Sequence, residues 1–169
     1  TSYTLTFPNG SKHVFAKLDG ATAFPRRVFL TQVIDAQNNA LTLAYDTSLR
    51  LTIITDATSR VTTFTYANAS FPLQVTKITD PFGRFATLAY DGTGRLASIV
   101  DVIGITSSFI YDTVDTTFIK TLTTPYGNSQ FTYAEAPDGS QQRALELTDP
   151  LGKTDRLEYR PGAPGIADT

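Results

Sequence analysis

Five aspartates recur along this chain, each opening a short segment with turn character, and they are the first residues to weigh for chemistry. Asp35 and Asp56 stand 21 residues apart, as do Asp80 and Asp101, and Asp149 closes the series. Carboxylates brought into register on neighbouring strands could serve as the acid–base pair of a hydrolase, which needs two carboxyl groups roughly 5–10 Å apart. The sequence around them argues for a local role instead. Asp80-Pro81-Phe82-Gly83, Asp101-Val102-Ile103-Gly104 and Asp149-Pro150-Leu151-Gly152 are turn segments, in which Asp bonds a backbone N–H two residues on and Gly accepts a positive φ. The repeat aspartates are therefore assigned to turns, with Gly83, Gly104 and Gly152, and so are Asp91 and Gly94. A calcium site needs several oxygen ligands around one ion, and Asp91-Gly92-Thr93-Gly94 supplies one carboxylate. His13 is the only histidine. It follows Lys12, has no evident partners for a triad or a zinc centre, and is expected as a solvated residue of a hairpin. Dinucleotide-binding, phosphate-loop and nucleophile-elbow motifs are absent from the sequence. No catalytic residue, metal ligand or cofactor is assigned, and the chain is read as a non-enzyme, with an Asp-based hydrolase kept as a third alternative.

The elements that hold these turns are read from the residues between them. Arg84–Tyr90 alternates, with Ala86, Leu88 and Tyr90 on one side and Phe85, Thr87 and Ala89 on the other, and Ile105–Tyr111 alternates in the same way. Period-2 alternation between turn signals predicts successive antiparallel strands. A tyrosine follows each repeat aspartate by ten residues, and a large apolar residue stands two places before each tyrosine. The pairs are Leu43 and Tyr45, Phe64 and Tyr66, Leu88 and Tyr90, Phe109 and Tyr111, Phe131 and Tyr133, and Leu157 and Tyr159. Stacked strands would line these up as a shared apolar ladder, the expected core of the repeat. The competing reading leaves the tyrosines exposed as platforms for carbohydrate. Arg50, Arg84, Arg95 and Arg156 are expected to pair with the turn aspartates.

The chain divides on this reading into an N-terminal hairpin with an irregular lead-in (1–30), the repeats (31–160) and a Pro/Gly-rich, linker-like tail (161–169). The hairpin turns at Pro8-Asn9-Gly10. No substantial helix is expected, and about a dozen strands at two per repeat give an all-β antiparallel meander. With 169 residues, a net charge of −2 and 18% charged residues, the chain shows no basic face for nucleic acid. No run of eighteen apolar residues could span a membrane as a helix, and the lack of cysteine excludes disulfides and thiolate metal sites. No signal peptide is seen, and both ends are expected to be cuts from a longer polypeptide. Open first and last strands are expected to invite self-association through their edges.

Tyr90-Asp91-Gly92-Thr93-Gly94-Arg95-Leu96, and in a degenerate form Tyr45-Asp46-Thr47-Ser48-Leu49-Arg50-Leu51, resembles the YD repeat of Rhs proteins. The likeness runs from about Tyr3 to Tyr159, and takes in Thr124-Pro125-Tyr126-Gly127 and the segment from Leu147 to Tyr159. The resemblance implies a segment of a spiralling β-ribbon shell, as in bacterial Rhs polymorphic toxins, toxin-complex C components and teneurins. It further implies that the partners are other shell segments and an enclosed C-terminal toxin domain. Export from bacteria by a type VI-like route would follow. Asp80-Pro81-Phe82-Gly83 and Asp149-Pro150-Leu151-Gly152 match only the turn portion of the family's self-cleavage segment, so neither is assigned as a protease site.

Overall fold

The structure, a computed structural model, describes residues 2–136 and 142–162. The sequence Pro137-Asp138-Gly139 predicts a further turn, but it and most of the tail at 161–169 lie outside the described residues.

Fourteen strands follow one another in the chain: β1 (Tyr3–Thr6), β2 (Lys12–Leu18), β3 (Val28–Ile34), β4 (Ala40–Tyr45), β5 (Leu51–Thr55), β6 (Val61–Thr65), β7 (Lys77–Thr79), β8 (Phe85–Tyr90), β9 (Leu96–Val100), β10 (Thr106–Tyr111), β11 (Ile119–Thr124), β12 (Gly127–Glu135), β13 (Arg143–Thr148) and β14 (Thr154–Tyr159). Among the described residues there is no helix. The strands form one open antiparallel sheet in which spatial order equals chain order, the all-β meander that the alternation predicts. β3 runs across residue 30, so the sheet starts well before the first repeat aspartate. Pro25 and the Arg26-Arg27 pair interrupt the alternation in sequence, but they sit in the loop between β2 and β3 and leave both strands intact.

Two compact units divide the chain, Thr1–Leu88 and Ala89–Thr169. In the first, directly opposed residues carry one apolar face across the strands. Leu5 faces His13, His13 faces Val33, Val33 faces Leu41, Leu43 faces Ile54, and Phe64 faces Ile78. The reverse face is rich in threonine, with Thr42 opposite Thr55, Thr63 opposite Thr79, and Thr87 opposite Lys77. The second unit repeats the pattern. Phe109 faces Leu122, Phe131 faces Leu147, and Tyr133 faces Leu145, which in turn faces Leu157. Its reverse face sets Thr121 against Gln130 and Thr148 against Thr154. Successive side chains of a strand point to opposite sides, so an apolar–Thr alternation in sequence becomes one apolar and one hydroxyl-bearing face.

No described residue is fully buried. The ladder expected as core is therefore the half-buried face of a single layer. Leu43, Tyr45, Phe64, Tyr66, Leu88, Tyr90, Phe109, Tyr111 and Phe131 are half-buried, whereas Tyr133, Leu157 and Tyr159 are exposed. A sheet with nothing laid on it shields its side chains only by their neighbours in the same plane. β14 has a bonded neighbour on one side only, which accounts for 70% exposure at Leu157.

Candidate functional site

The repeated turn is the best-defined polar structure in the molecule. In seven places among the described residues an aspartate donates its backbone N–H to the carbonyl four residues on, and its own carbonyl accepts from the N–H three residues on. The seven are Asp35, Asp46, Asp56, Asp80, Asp91, Asp101 and Asp149. The residue three places on has a positive φ in every case, between 62° at Leu49 and 87° at Gly104. This is a type I turn closed by a left-handed residue, a common three-residue hairpin connection. The side chain completes it. Asp91 Oδ1 accepts from the N–H groups of Thr93 at 2.9 Å and Arg95 at 3.0 Å, and Asp101 and Asp149 do the same with their own i+2 and i+4 residues. Each turn carboxylate is thus committed to its own backbone, as the spacing predicts. Gly83, Gly94, Gly104 and Gly152 hold the left-handed position, while Asn38, Leu49 and Ser59 hold it in the turns of Asp35, Asp46 and Asp56. Asp46 was not among the turn aspartates that the spacing singled out, because no tyrosine follows it by ten residues and, unlike Asp91, it has no glycine three places on.

Hydrogen bonding to the charged form lowers a carboxyl pKa. The Thr93 hydroxyl and the Arg95 N–H hold Asp91 far below the usual carboxylate range. The Arg50 N–H lowers Asp46, the Arg60 N–H and the Thr58 hydroxyl lower Asp56, and the Asn39 side-chain amide lowers Asp35.

An arginine joins the turn to the following tyrosine. Arg95 Nε donates to Asp91 Oδ2 at 2.8 Å, its guanidinium lies 4.6 Å from the centre of the Tyr111 ring, and another nitrogen donates to the Thr116 carbonyl at 2.9 Å. Arg50 repeats the arrangement with Asp46 at 2.7 Å, the Tyr66 ring at 4.7 Å and the Pro72 carbonyl at 2.7 Å. In both cases the tyrosine hydroxyl donates to the carbonyl of the leucine after the arginine, Leu96 for Tyr111 and Leu51 for Tyr66. Tyr45 makes the corresponding bond to Leu30, with the Phe29 ring where the guanidinium would be. A planar guanidinium suits this geometry because it can bond in its plane and stack through its face. The sequence holds a signal for it outside the turns, since arginine precedes tyrosine by sixteen residues both at Arg50 and at Arg95. Tyr66 and Tyr111 thus have the hydroxyl bonded to the backbone and a guanidinium against the ring, which leaves little of either for a sugar. Burial raises the pKa of Tyr45, Tyr66 and Tyr90.

Arg84 pairs with Asp80 as expected, but Arg156 bonds Glu158 and Glu146 on the exposed β13–β14 hairpin. His13 is half-buried with its ring edge-on to Phe7 at 4.9 Å, so it belongs to the apolar face of its unit instead of being solvated. Among the described residues no cluster of three or more His, Asp or Glu side chains could hold a metal ion, and no helix is long and apolar enough to cross a membrane. The described residues also hold a recess that the sequence did not signal, lined by Tyr3, Leu18, Val28 and the loop between β2 and β3.

Residues 73–102 match the family model described as RHS Repeat, which takes in the Asp80 and Asp91 turns, β7, β8 and β9. No curated protein matches the chain.

Proposed function

We propose, from the premise that this chain carries an Rhs/YD repeat, that it is a wall segment of an Rhs-type shell that encloses and helps deliver a separate C-terminal effector domain. On this reading the chain performs no catalysis of its own, and its partners are further shell segments and the enclosed domain. Delivery would proceed from bacteria by a type VI-like route.

One observation carries the reading. A single hydrogen-bonded layer runs in chain order, with an apolar and a threonine-rich face in each unit and no fully buried side chain among the described residues. A free-standing domain of this length would be expected to fold a second layer over its apolar face. A wall leaves that face open to what it contains. The seven matched turns and the arginine links stiffen such a layer without a core.

The test is limited proteolysis of the full polypeptide that the gene encodes. The effector domain is expected to resist trypsin in the intact polypeptide and to be digested when residues 73–102 are deleted. Equal digestion of the effector in both would refute the shell reading.

A further inference from the structure

We infer, resting on the shell reading, that one rim of the second unit is a seam at which this ribbon abuts another stretch of repeat ribbon from the same polypeptide. The rim is made by the turns after β9, β11 and β13.

In a meander whose spatial order equals its chain order, every second connection lies at the same end of the strands. The β9–β10, β11–β12 and β13–β14 turns therefore stand side by side, roughly 10 Å apart, which is two strand spacings. The last two approach closely, since a Cβ at Gly127 would lie 2.8 Å from Pro150 Cβ. Each turn holds a large apolar side chain out to solvent. Ile103 is 76% exposed, Tyr126 83% and Leu151 82%.

The turns themselves do not need these side chains. Asp101 Oδ1 accepts from the N–H groups of Ile103 and Ile105, Asp149 Oδ1 from those of Leu151 and Lys153, and the Thr124 hydroxyl oxygen from that of Tyr126 at 3.2 Å. These bonds are made by backbone and turn residue alone. Gln37, Ser48, Thr58 and Thr93 fill the same position in the turns of Asp35, Asp46, Asp56 and Asp91, so a polar residue serves the turn equally well. Side chains exposed to this degree also add little to the packing of their own sheet. A line of apolar tips with no part in the fold is a contact surface.

The length of the strands points to the occupant. β10, β11, β13 and β14 have six residues each, which makes a ribbon about 20 Å wide at roughly 3.4 Å per residue. A compact domain of about 100 residues has a radius of gyration of about 13 Å and is roughly 34 Å across. One ribbon width cannot enclose it. The two faces of a wall point inward and outward, and strand pairing runs along the ribbon, so only the rims are left to join one width to the next. A ribbon of this repeat has apolar side chains to offer there. Val114, in the connection at the opposite end of β10, is 93% exposed, and in the first unit the Asp80 turn carries Phe82 at 71%. Apolar tips meeting apolar tips bury the surface that each ribbon leaves in water.

The test is photo-crosslinking in the full polypeptide that the gene encodes. Benzoylphenylalanine replaces Ile103, Tyr126 or Leu151 in turn, with Gln130, exposed on the polar face, as the control position. After irradiation the linked peptides are identified by mass spectrometry. The three rim positions are expected to link to repeat segments distant in the same polypeptide, and Gln130 is not. Links to the effector domain, links to a second copy of the polypeptide, or rim yields no higher than that of Gln130 would each overturn the seam. So would co-flotation of the polypeptide with phosphatidylcholine vesicles that the rim variants abolish, because the occupant would then be a membrane. A triple variant, Ile103→Ser with Tyr126→Ser and Leu151→Ser, gives an independent reading. It is expected to leave the urea midpoint of the 169-residue chain unchanged. In the full polypeptide it is expected to shorten the trypsin half-life of the effector by about tenfold, as the enclosure opens more often. An unchanged half-life would overturn the seam and leave the shell standing. An effector that trypsin digests at once in the unaltered polypeptide would refute the shell, and the cross-links alone would then decide whether ribbon meets ribbon.

Discussion

Ser59, Asn38 and Leu49 each hold at positive φ the position that glycine fills in the turns of Asp80, Asp91, Asp101 and Asp149. For an L-residue that conformation costs roughly 1–2 kcal/mol, part of which glycine offsets by its greater freedom in the unfolded chain. Ser59 is exposed, so its replacement removes little packing. Ser59→Gly should raise stability by up to about 1 kcal/mol, and Gly104→Ser should lower it by a similar amount, read from urea midpoints. Gly104 is a clean control because a Cβ there would meet no atom within 4 Å. The turn carboxylates set a second residue-scale expectation. Asp91 is held below its ordinary pKa by the bonds it accepts, so its contribution is complete above the unfolded value of about 3.9 and is lost as the pH falls below it. The thermal midpoint should be flat above about pH 5 and drop below about pH 4. Asp91→Asn should be less stable than the native chain at neutral pH, and that gap should narrow as the pH falls. A gap that stays constant down to about pH 2 would show that the charge contributes nothing. These turns were legible in the sequence because every bond in them lies within four residues, so an Asp and a Gly three places apart nearly specify the geometry. Where leucine takes the glycine position, in the Asp46 turn, the signal fades, although the backbone is the same.

At the scale of strands and turns, the unit of stability is the turn carboxylate, the arginine four residues on, and the tyrosine of the next repeat. Arg95 touches Asp91, Tyr111 and the Thr116 carbonyl at once, so it ties a turn to a later strand and to the segment after it. A double-mutant cycle of Arg95→Ala with Tyr111→Leu should give a coupling of about 0.5–1 kcal/mol, the range for a cation over an aromatic ring at a partly exposed site. Tyr111→Phe alone should cost about 1 kcal/mol, because the half-buried Leu96 carbonyl loses its donor. Additive effects in the cycle would make the stacking incidental. This link could not be read from local pattern, since Arg95 and Tyr111 meet through strand register. The pairing of β10 with β11, on the other side of the same strand, carries a bulge between Ile110 and Tyr111. Residues 16–30 defeated the pattern for another reason. Pro25 and two arginines look like the end of regular structure, while Leu18 and Val28, the ends of β2 and β3 on either side of that loop, are paired with each other.

For the whole molecule, what matters is that each strand's bonded neighbours are its neighbours in sequence. Contacts of this kind close without long loops, so stability is approximately a sum of repeat terms and nearest-neighbour interfaces. No described side chain is fully buried, and unfolding therefore exposes less apolar surface than it would in a layered domain. The urea m-value scales with that newly exposed surface. It should fall near the low end of the roughly 1–3 kcal/mol/M seen for small proteins, even though the chain has 169 residues. Different probes should not give coincident transitions, because the repeats need not open together. Hydrogen exchange should resolve the order. Amides of β1 and β14, whose residues are all exposed, should exchange first, and those of β3, all half-buried, should be among the last. A single steep transition, with uniform protection from β1 to β14, would mean that an apolar face is covered in solution, by a second copy or by another segment. The open single layer would then not be the state that the free chain occupies.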